Sequence, residues 1–294
     1  MDEHDWLAER FEENRGHLRA VAYRMLGSLT EADDAVQEAW LRLSRSDTRD
    51  IHNLGGWLTT VVARVSLNML RSRASRREEP LDSHVPDPVI SREEAIDPED
   101  QALLAEGVGL ALLVVLETLA PAERLAFVLH DMFAVPFEEI AAILGRSPTA
   151  ARQLASRARR RVQDTAPVPN HNLSRQREVV DAFFAAARGG DFDALVAVLD
   201  PDVVLRSDGG VRRPAASVMV HGAATVAGQA LTFAQPSRLT RPALVNGAPG
   251  VVVVQHGRPF AIMGFTVMRG KIVEIDVLTD PERLRQLDLT VLDD

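Results

Sequence analysis

The stretch that decides the fold is FEEIAAILGRSPTAARQLASRARRRV, residues Phe137 to Val162. Ile140, Ala141 and Leu144 recur at helical spacing and predict a short amphipathic helix. Gly145 breaks it. Ser147-Pro148 then restarts the chain with a hydroxyl cap and a proline whose missing N–H a first turn does not need. The second helix is expected to bury Ala150, Leu154, Ala158 and Val162 and to expose Arg152, Gln153, Ser156, Arg157, Arg159 and Arg160. Six arginines and no acid lie between Arg146 and Arg161. Two short helices joined by a tight glycine turn, the second one basic, form a helix-turn-helix whose second helix fits a DNA major groove. A helical hairpin with a solvated arginine face is the plainer alternative; the capped restart and the one-sided charge favour DNA.

Around this stretch, 294 residues leave room for two or three domains. The chain has no cysteine, which excludes disulfides, thiolate metal sites and thiol catalysis. No metal, cofactor or catalytic constellation is expected. The longest apolar run, Val108 to Leu116, is too short to cross a bilayer. The acidic start MDEHDWLAERFEE lacks a signal-peptide core, so a cytoplasmic location with no membrane partner is expected. The net charge of −9 is an average over a patterned chain: acids crowd the first fifty residues, and arginines concentrate in 64–77 and 146–161. Such a protein binds free DNA weakly, because non-specific affinity follows phosphate neutralisation, and it needs a partner to bind well. Lys271 is the single lysine, and arginine suits bidentate contacts.

Taken in order, Trp6 to Leu26 reads as a helix with Phe11, Leu18, Val21, Ala22 and Met25 inside, ended by Gly27. Thr30 is expected to cap the next helix, TEADDAVQEAWLRL, which buries Ala35, Val36, Ala39, Trp40 and Leu43. Its other face shows Asp33, Asp34, Gln37, Glu38 and Leu41. After Gly55-Gly56 a third helix runs from Trp57 to Arg73 with Leu58, Val61, Val62, Val65, Leu67 and Leu70 inside. Its far end is basic, with Arg64, Arg71, Arg73, Arg76 and Arg77 and no acid between Arg64 and Arg77. Prolines and acids from Glu78 to Asp100 mark an extended linker, followed by helices over 101–119 and from Pro121 to His130. A second linker, TAPVPNHN, precedes a helix capped by Ser174 and a short helix from Phe192 to Leu199. Strands are expected at 203–207, 243–246, 251–255, 260–268 and 271–277, with turns at Asn246-Gly247, Gly257 and Arg269-Gly270. This closing part is an α+β arrangement ending in an antiparallel meander.

These residues resemble a family. TEADDAVQEAWLRL is similar to the polymerase-binding helix of bacterial RNA polymerase sigma factors of the extracytoplasmic-function group. GGWLTTVVARVSLNMLRSRASRR resembles their adjoining element that handles −10 promoter DNA, and LAPAERLAFVLHDMFAVPFEEIAAILGRSPTAARQLASRARRRV resembles their −35-reading domain. The closing part, with VVDAFFAAARGGDFDALVAVL and VVLRSDGG, resembles a SnoaL-like domain, a curved sheet folded over helices around a cone-shaped pocket. A sigma factor with this appendage resembles the SigJ-type branch, and DPERL at 280–284 sits where that branch has a similar terminal motif. The branch's Trp-Leu-Pro-Glu-Pro linker motif is matched here by Val85-Pro86-Asp87-Pro88-Val89, without the tryptophan. Many relatives have Asn where Arg64 stands, and the turn Asp208-Gly209-Gly210-Val211 is shorter in glycine than usual.

The resemblance implies a multidomain chain: two all-α sigma domains, the second with the helix-turn-helix, then an α+β SnoaL-like cone-shaped domain. The boundaries are 1–78 for polymerase and −10 DNA, 79–100 for a linker, 101–164 for −35 DNA, 165–173 for a second linker and 174–294 for regulation. It implies that Asp34, Gln37, Glu38 and Leu41 bind core RNA polymerase. Arg64, Asn68, Arg71 and Arg73 would hold the −10 region as it opens; Arg152, Gln153, Ser156, Arg157 and Arg160 would read or clamp the −35 promoter DNA. The closing domain would tune polymerase binding in place of a separate anti-sigma protein, with a small-molecule ligand as an input. Asp208, His221 and His256 are its candidate pocket residues, and no spacing among them signals catalysis. Two rivals stay open at this point: a ligand-sensing helix-turn-helix regulator without a sigma role, and a SnoaL-like isomerase or cyclase fused to a DNA-binding segment.

Overall fold

The structure, a computed structural model, describes residues 3–46, 51–75, 83–92, 109–165, 172–234 and 238–289. These fall into two compact units: one draws on Met1–Glu79 and Val115–Thr165, the other on Pro80–Asp100, Gly107–Val114 and Ala166–Asp294.

In the first unit, α1 (Glu3–Leu26), α2 (Leu29–Leu43) and α3 (Leu54–Ser75) pack pairwise. The interior is the expected one: Phe11, Leu18, Val21, Ala22, Met25, Ala35, Val36, Ala39, Leu43, Leu58, Val62 and Leu67 are buried. Gly27 at φ +72° ends α1, a backbone shape that an L side chain resists. Two details differ. Ser28, not Thr30, caps α2 by accepting from the Glu31 N–H, so the helix starts earlier. Trp40 is half-buried, its ring lying 5.1 Å from that of Phe11.

Further along come α4 (Leu110–Glu117), α5 (Pro121–Phe127), a π-helical turn (Val128–Met132), α6 (Phe137–Leu144) and α7 (Pro148–Thr165). Both α5 and α6 pack against α7, and both also touch α3. This second contact is built on arginine. Arg124 of α5 is buried, and its Nε donates to the Arg24 carbonyl at the end of α1 at 3.1 Å. Burial pulls the Arg124 guanidinium down to about 10, with the Glu117 carboxylate opposing and the charge of Arg73 adding to the fall. Arg24 is buried too, 4.9 Å from the centre of the Phe133 ring, a cation–π contact.

The second unit holds α8 (Leu173–Gly189), α9 (Phe192–Val198), α10 (Ala223–Phe233), α11 (Pro281–Gln286) and a seven-stranded sheet. The strands are β1 (Ile90–Ser91), β2 (Leu199–Asp208), β3 (Val218–His221), β4 (Arg238–Val245), β5 (Ala248–Gln255), β6 (Arg258–Met268) and β7 (Lys271–Leu278), ordered β1-β4-β5-β6-β7-β2-β3. The run from β4 to β7 is the expected antiparallel meander, but β2 lies parallel to β7. A parallel pair needs a long crossover, and the intervening chain from β3 through β6 supplies it. The cap of α8 is Asn172, whose side chain accepts from the Arg175 N–H, two residues ahead of the expected Ser174. Each hairpin turn of the meander has two residues at positive φ, Asn246-Gly247, His256-Gly257 and Arg269-Gly270, the twist that matches paired strands.

One sheet face meets α8, α9 and α10 around Val180, Phe183, Leu195, Val226, Phe265 and Ile275. The other face carries a buried charge cluster on the paired residues of β2 and β7. Arg206 Nη1 reaches Asp276 Oδ1 at 2.8 Å, and its Nη2 reaches Glu274 Oε1 at 3.0 Å. Burial raises the Asp276 carboxyl to about 6, with Arg206 opposing and Glu274 adding to the rise. Because that value lies above the roughly 3.9 of an unfolded Asp, its contribution to stability is full below pH 4 and lost as pH rises through 6. Arg206→Ala, which leaves two buried carboxylates facing each other, should cost about 3–5 kcal/mol at pH 7 in denaturant unfolding, and less at pH 5, where Asp276 takes up a proton. Equal losses at both pH values would show that the cluster does not titrate as described.

Candidate nucleic-acid interface

The helix-turn-helix forms as the sequence requires. Ile140, Ala141 and Leu144 bury the inner face of α6, Gly145 turns the chain at φ +64°, and the Ser147 hydroxyl accepts from the Ala150 N–H at 3.2 Å. The buried stripe of α7 is Ala151, Leu154, Ala155 and Ala158; Ala150 and Val162, expected inside, are half-buried. The difference is a small rotation of the helix, tolerated because alanine at 150, 151 and 155 makes neighbouring positions nearly equivalent in volume. Arg152, Gln153, Ser156, Arg157 and Arg160 are all exposed on one side.

Three arginines of α7 are held by acids that precede the helix. Arg152 Nη2 donates to Glu138 Oε1 at 2.9 Å, Arg157 Nε to Glu123 Oε1 at 2.8 Å and Arg159 Nη2 to Asp131 Oδ1 at 2.6 Å. Sequence reading noted the acid-free run of α7 and missed these partners, because they lie 14 to 34 residues away and become neighbours only through the turn.

On α3, Arg64, Asn68 and Arg71 are exposed at spacings of four and three, one stripe along the helix. Arg73 leaves that stripe: it pairs with Glu31 and donates to the Leu26 carbonyl at 3.2 Å, tying α3 to the α1–α2 junction. Arg76 and Arg77 lie outside the described residues. On α2, Asp34, Gln37, Glu38 and Leu41 fall at helical spacing on one face, Leu41 at 39% exposure and Glu38 paired with Arg42 at 2.9 Å. An outward leucine beside Gln37 and Glu38 suits a protein surface better than bulk water.

The second unit does not bring Asp208, His221 and His256 together. His256 sits in the β5–β6 turn and His221 at the end of β3, both exposed; alternation and turn geometry fix them on the rim. The core between the helices and the sheet holds Phe183 and Phe265, with Phe184 packed against it, the rings 5.4 to 5.7 Å apart. An open cavity of about 400 Å³, lined by residues such as Val196, Pro201 and Thr225, involves none of the three.

Asp208 instead holds the segment 83–91. His84 Nδ1 lies 2.9 Å from its Oδ2, the Val85 N–H donates to that oxygen at 3.1 Å, and the Gly210 N–H to Oδ1 at 2.9 Å. Arg283 of α11 donates to Asp208 at 2.8 Å, to Asp87 at 2.7 Å and to the Val85 carbonyl at 2.6 Å. Burial by itself would raise the Asp208 carboxyl; the hydrogen bonds from His84, Val85 and Gly210 and the Arg283 charge prevail and bring it to about 2. Farther on, Val89 exchanges hydrogen bonds with Asn246, and β1 pairs antiparallel with β4, Ile90 opposite Val245. The segment VPDPV and the motif DPERL, both visible in the sequence, thus meet through Asp87 and Arg283; that His84 and the turn residue Asn246 would hold this segment had no sequence signal.

Comparison with known proteins agrees with this arrangement. Residues 10–76 match Sigma-70 region 2, and residues 109–162 match Sigma-70, region 4. The chain is 43% identical over 291 residues to the ECF RNA polymerase sigma factor SigJ of Mycobacterium tuberculosis, across 93% of this chain and 91% of that protein. It is 36% identical over 291 residues to the probable ECF RNA polymerase sigma factor SigI of the same species, across 98% of each. The crystal structure of Mycobacterium tuberculosis SigJ superposes with a TM-score of 0.77 at 38% identity, covering 96% of this chain and 99% of that one. With both sigma regions in order, and a full-length relationship that includes the appended sheet, the chain belongs to the extracytoplasmic-function (ECF) RNA polymerase sigma factors.

Proposed function

We propose that this ECF sigma factor acts in the cytoplasm, brings core RNA polymerase to a defined set of promoters, and is tuned by its SnoaL-like domain through the linker. The observation that carries the regulatory part is the capture of residues 83–91 by Asp208, Arg283 and Asn246. A linker held as an added strand of the closing sheet is a linker withheld from other partners.

Within this reading the functional blocks are 1–78, 101–164 and 174–294, joined by 79–100 and 165–173. The stripe Asp34, Gln37, Glu38 and Leu41 meets the polymerase. Arg64, Asn68 and Arg71 hold the opening −10 region, where positive charge and polar groups retain a separated strand, and Arg73 supports them from the helix junction. Arg152, Gln153 and Ser156 face −35 base edges, with Arg157 and Arg160 on phosphates. The closing domain works by binding rather than turnover, the reading that fits a chain related along its length to sigma factors. A small-ligand input finds no support at Asp208, His221 and His256. The rival reading, a repressor without a sigma role, leaves the acidic stripe of α2 without a purpose.

Run-off transcription with purified core polymerase over a library of promoter fragments tests the whole. Transcripts that require the protein are expected; tight specific DNA binding without transcripts would return the repressor. Arg152→Ala should relax −35 selectivity by about 1–3 kcal/mol, read from competing promoters with single −35 changes. Arg283→Ala should release residues 83–91, seen as faster limited proteolysis of the linker together with a changed transcript yield. A protease pattern and yield identical to the parent would separate the closing domain from control.

A further inference from the structure

Arg152 is an exposed side chain with an ordered setting. Its guanidinium carbon lies 5.3 Å from the centre of the Phe137 ring, while its Nη2 donates to Glu138 at 2.9 Å. Behind Phe137 the His130 ring stacks at 3.8 Å and 29°, and His130 Nδ1 lies 3.1 Å from the Val135 carbonyl oxygen. His130 belongs to the π-helical turn, whose extra residue per turn brings the ring beneath Phe137. The order is therefore backbone carbonyl, imidazole, phenyl ring, guanidinium, carboxylate.

An isolated surface ion pair between two flexible side chains holds little. Here a second support, the ring face, acts on the same guanidinium, and an aromatic face selects the planar orientation of an arginine. Glu138 has a further effect: with 64% of its side chain exposed beside Arg152, it places a negative charge near the DNA-facing side of α7. That charge repels phosphates without regard to sequence. It takes one N–H of Arg152 and leaves the others for a base edge. Arg157 and Arg159 differ, because their acids, Glu123 and Asp131, are 15% and 20% exposed and sit back from the surface.

We propose that Phe137 and Glu138 are positioning residues for promoter selectivity: the ring orients Arg152 for bidentate base contact, and the carboxylate restrains that arginine from binding phosphate indiscriminately. This rests on the reading of Arg152 as a −35 contact. An arginine left free would find phosphate as easily as guanine; this one meets a base edge in the geometry the ring and the acid impose.

The test uses holoenzyme rebuilt from core polymerase and the full chain, on a promoter selected from a fragment library and on the same promoter with its −35 element scrambled. The readouts are the ratio of transcripts and the salt dependence of open-complex formation. Glu138→Gln should raise binding to the scrambled promoter, lower the ratio several-fold, and steepen the log–log salt slope by about one. Phe137→Leu should lower the ratio by about tenfold, and Phe137→Tyr, which keeps the ring, should restore it. Arg152→Ala is the control that separates two failures. If it loses selectivity while Glu138→Gln and Phe137→Leu keep the parent ratio and slope, the positioning role is overturned and the −35 contact stands. If Arg152→Ala keeps the parent ratio, the contact itself is wrong and the positioning role falls with it.

Discussion

One carboxylate, that of Asp208, gathers three stretches of chain far apart in sequence: the linker through His84 and Val85, the glycine turn through Gly210, and the closing helix through Arg283. A buried ion is costly unless its oxygens are filled, and here the donors come from three separate segments. The dependence is mutual. Removing the linker would leave Asp208 and Arg283 with fewer partners; removing the acid would leave the segment held by Arg283 through Asp87 and Val85 and by its pairing with β4. With its carboxyl brought down to about 2, Asp208 itself stays ionised across the neutral range.

The three exposed stripes follow a different logic. On α2, α3 and α7 the buried faces are made of small and branched residues, so the helices sit close and their outward rows are presented on stiff supports. Recognition needs that stiffness, since each rotamer frozen on binding subtracts from affinity. The arginine–acid pairs on α7 extend the same principle from backbone to side chain.

Much of this was legible beforehand because period and punctuation are local. The helix-turn-helix, the three N-terminal helices with their interiors, and the hairpin turns at Asn246-Gly247 and Arg269-Gly270 all rest on spacings of a few residues. The misreadings were local as well: Ser28 outcompeted Thr30 as a cap, Asn172 outcompeted Ser174, and an alanine-rich helix turned by one position. What could not be read was long-range. The parallel pairing of β2 with β7, the withdrawal of Arg73 into the α1–α2 junction and the partners of Asp208 depend on segments that meet only after folding. His256 shows the hazard of reading chemistry from residue type: its place is a turn that wanted a residue tolerant of positive φ.

The contact of α3 with α5 and α6 carries a geometric consequence. Helices in contact lie about 8–10 Å apart axis to axis, so α3 and α7, both in contact with α5, lie within about 20 Å of each other. Promoter elements centred near −10 and −35 are about 25 base pairs apart, roughly 85 Å along B-form DNA. On the reading proposed above, a chain in this arrangement would reach one element at a time, and the Arg124 seat at the end of α1 would have to open before both are engaged. If the open form were one molecule in a hundred, the apparent affinity of any partner that requires it would fall about 100-fold. On the proposed reading, the buried arginine would be a threshold that binding to core polymerase has to lift.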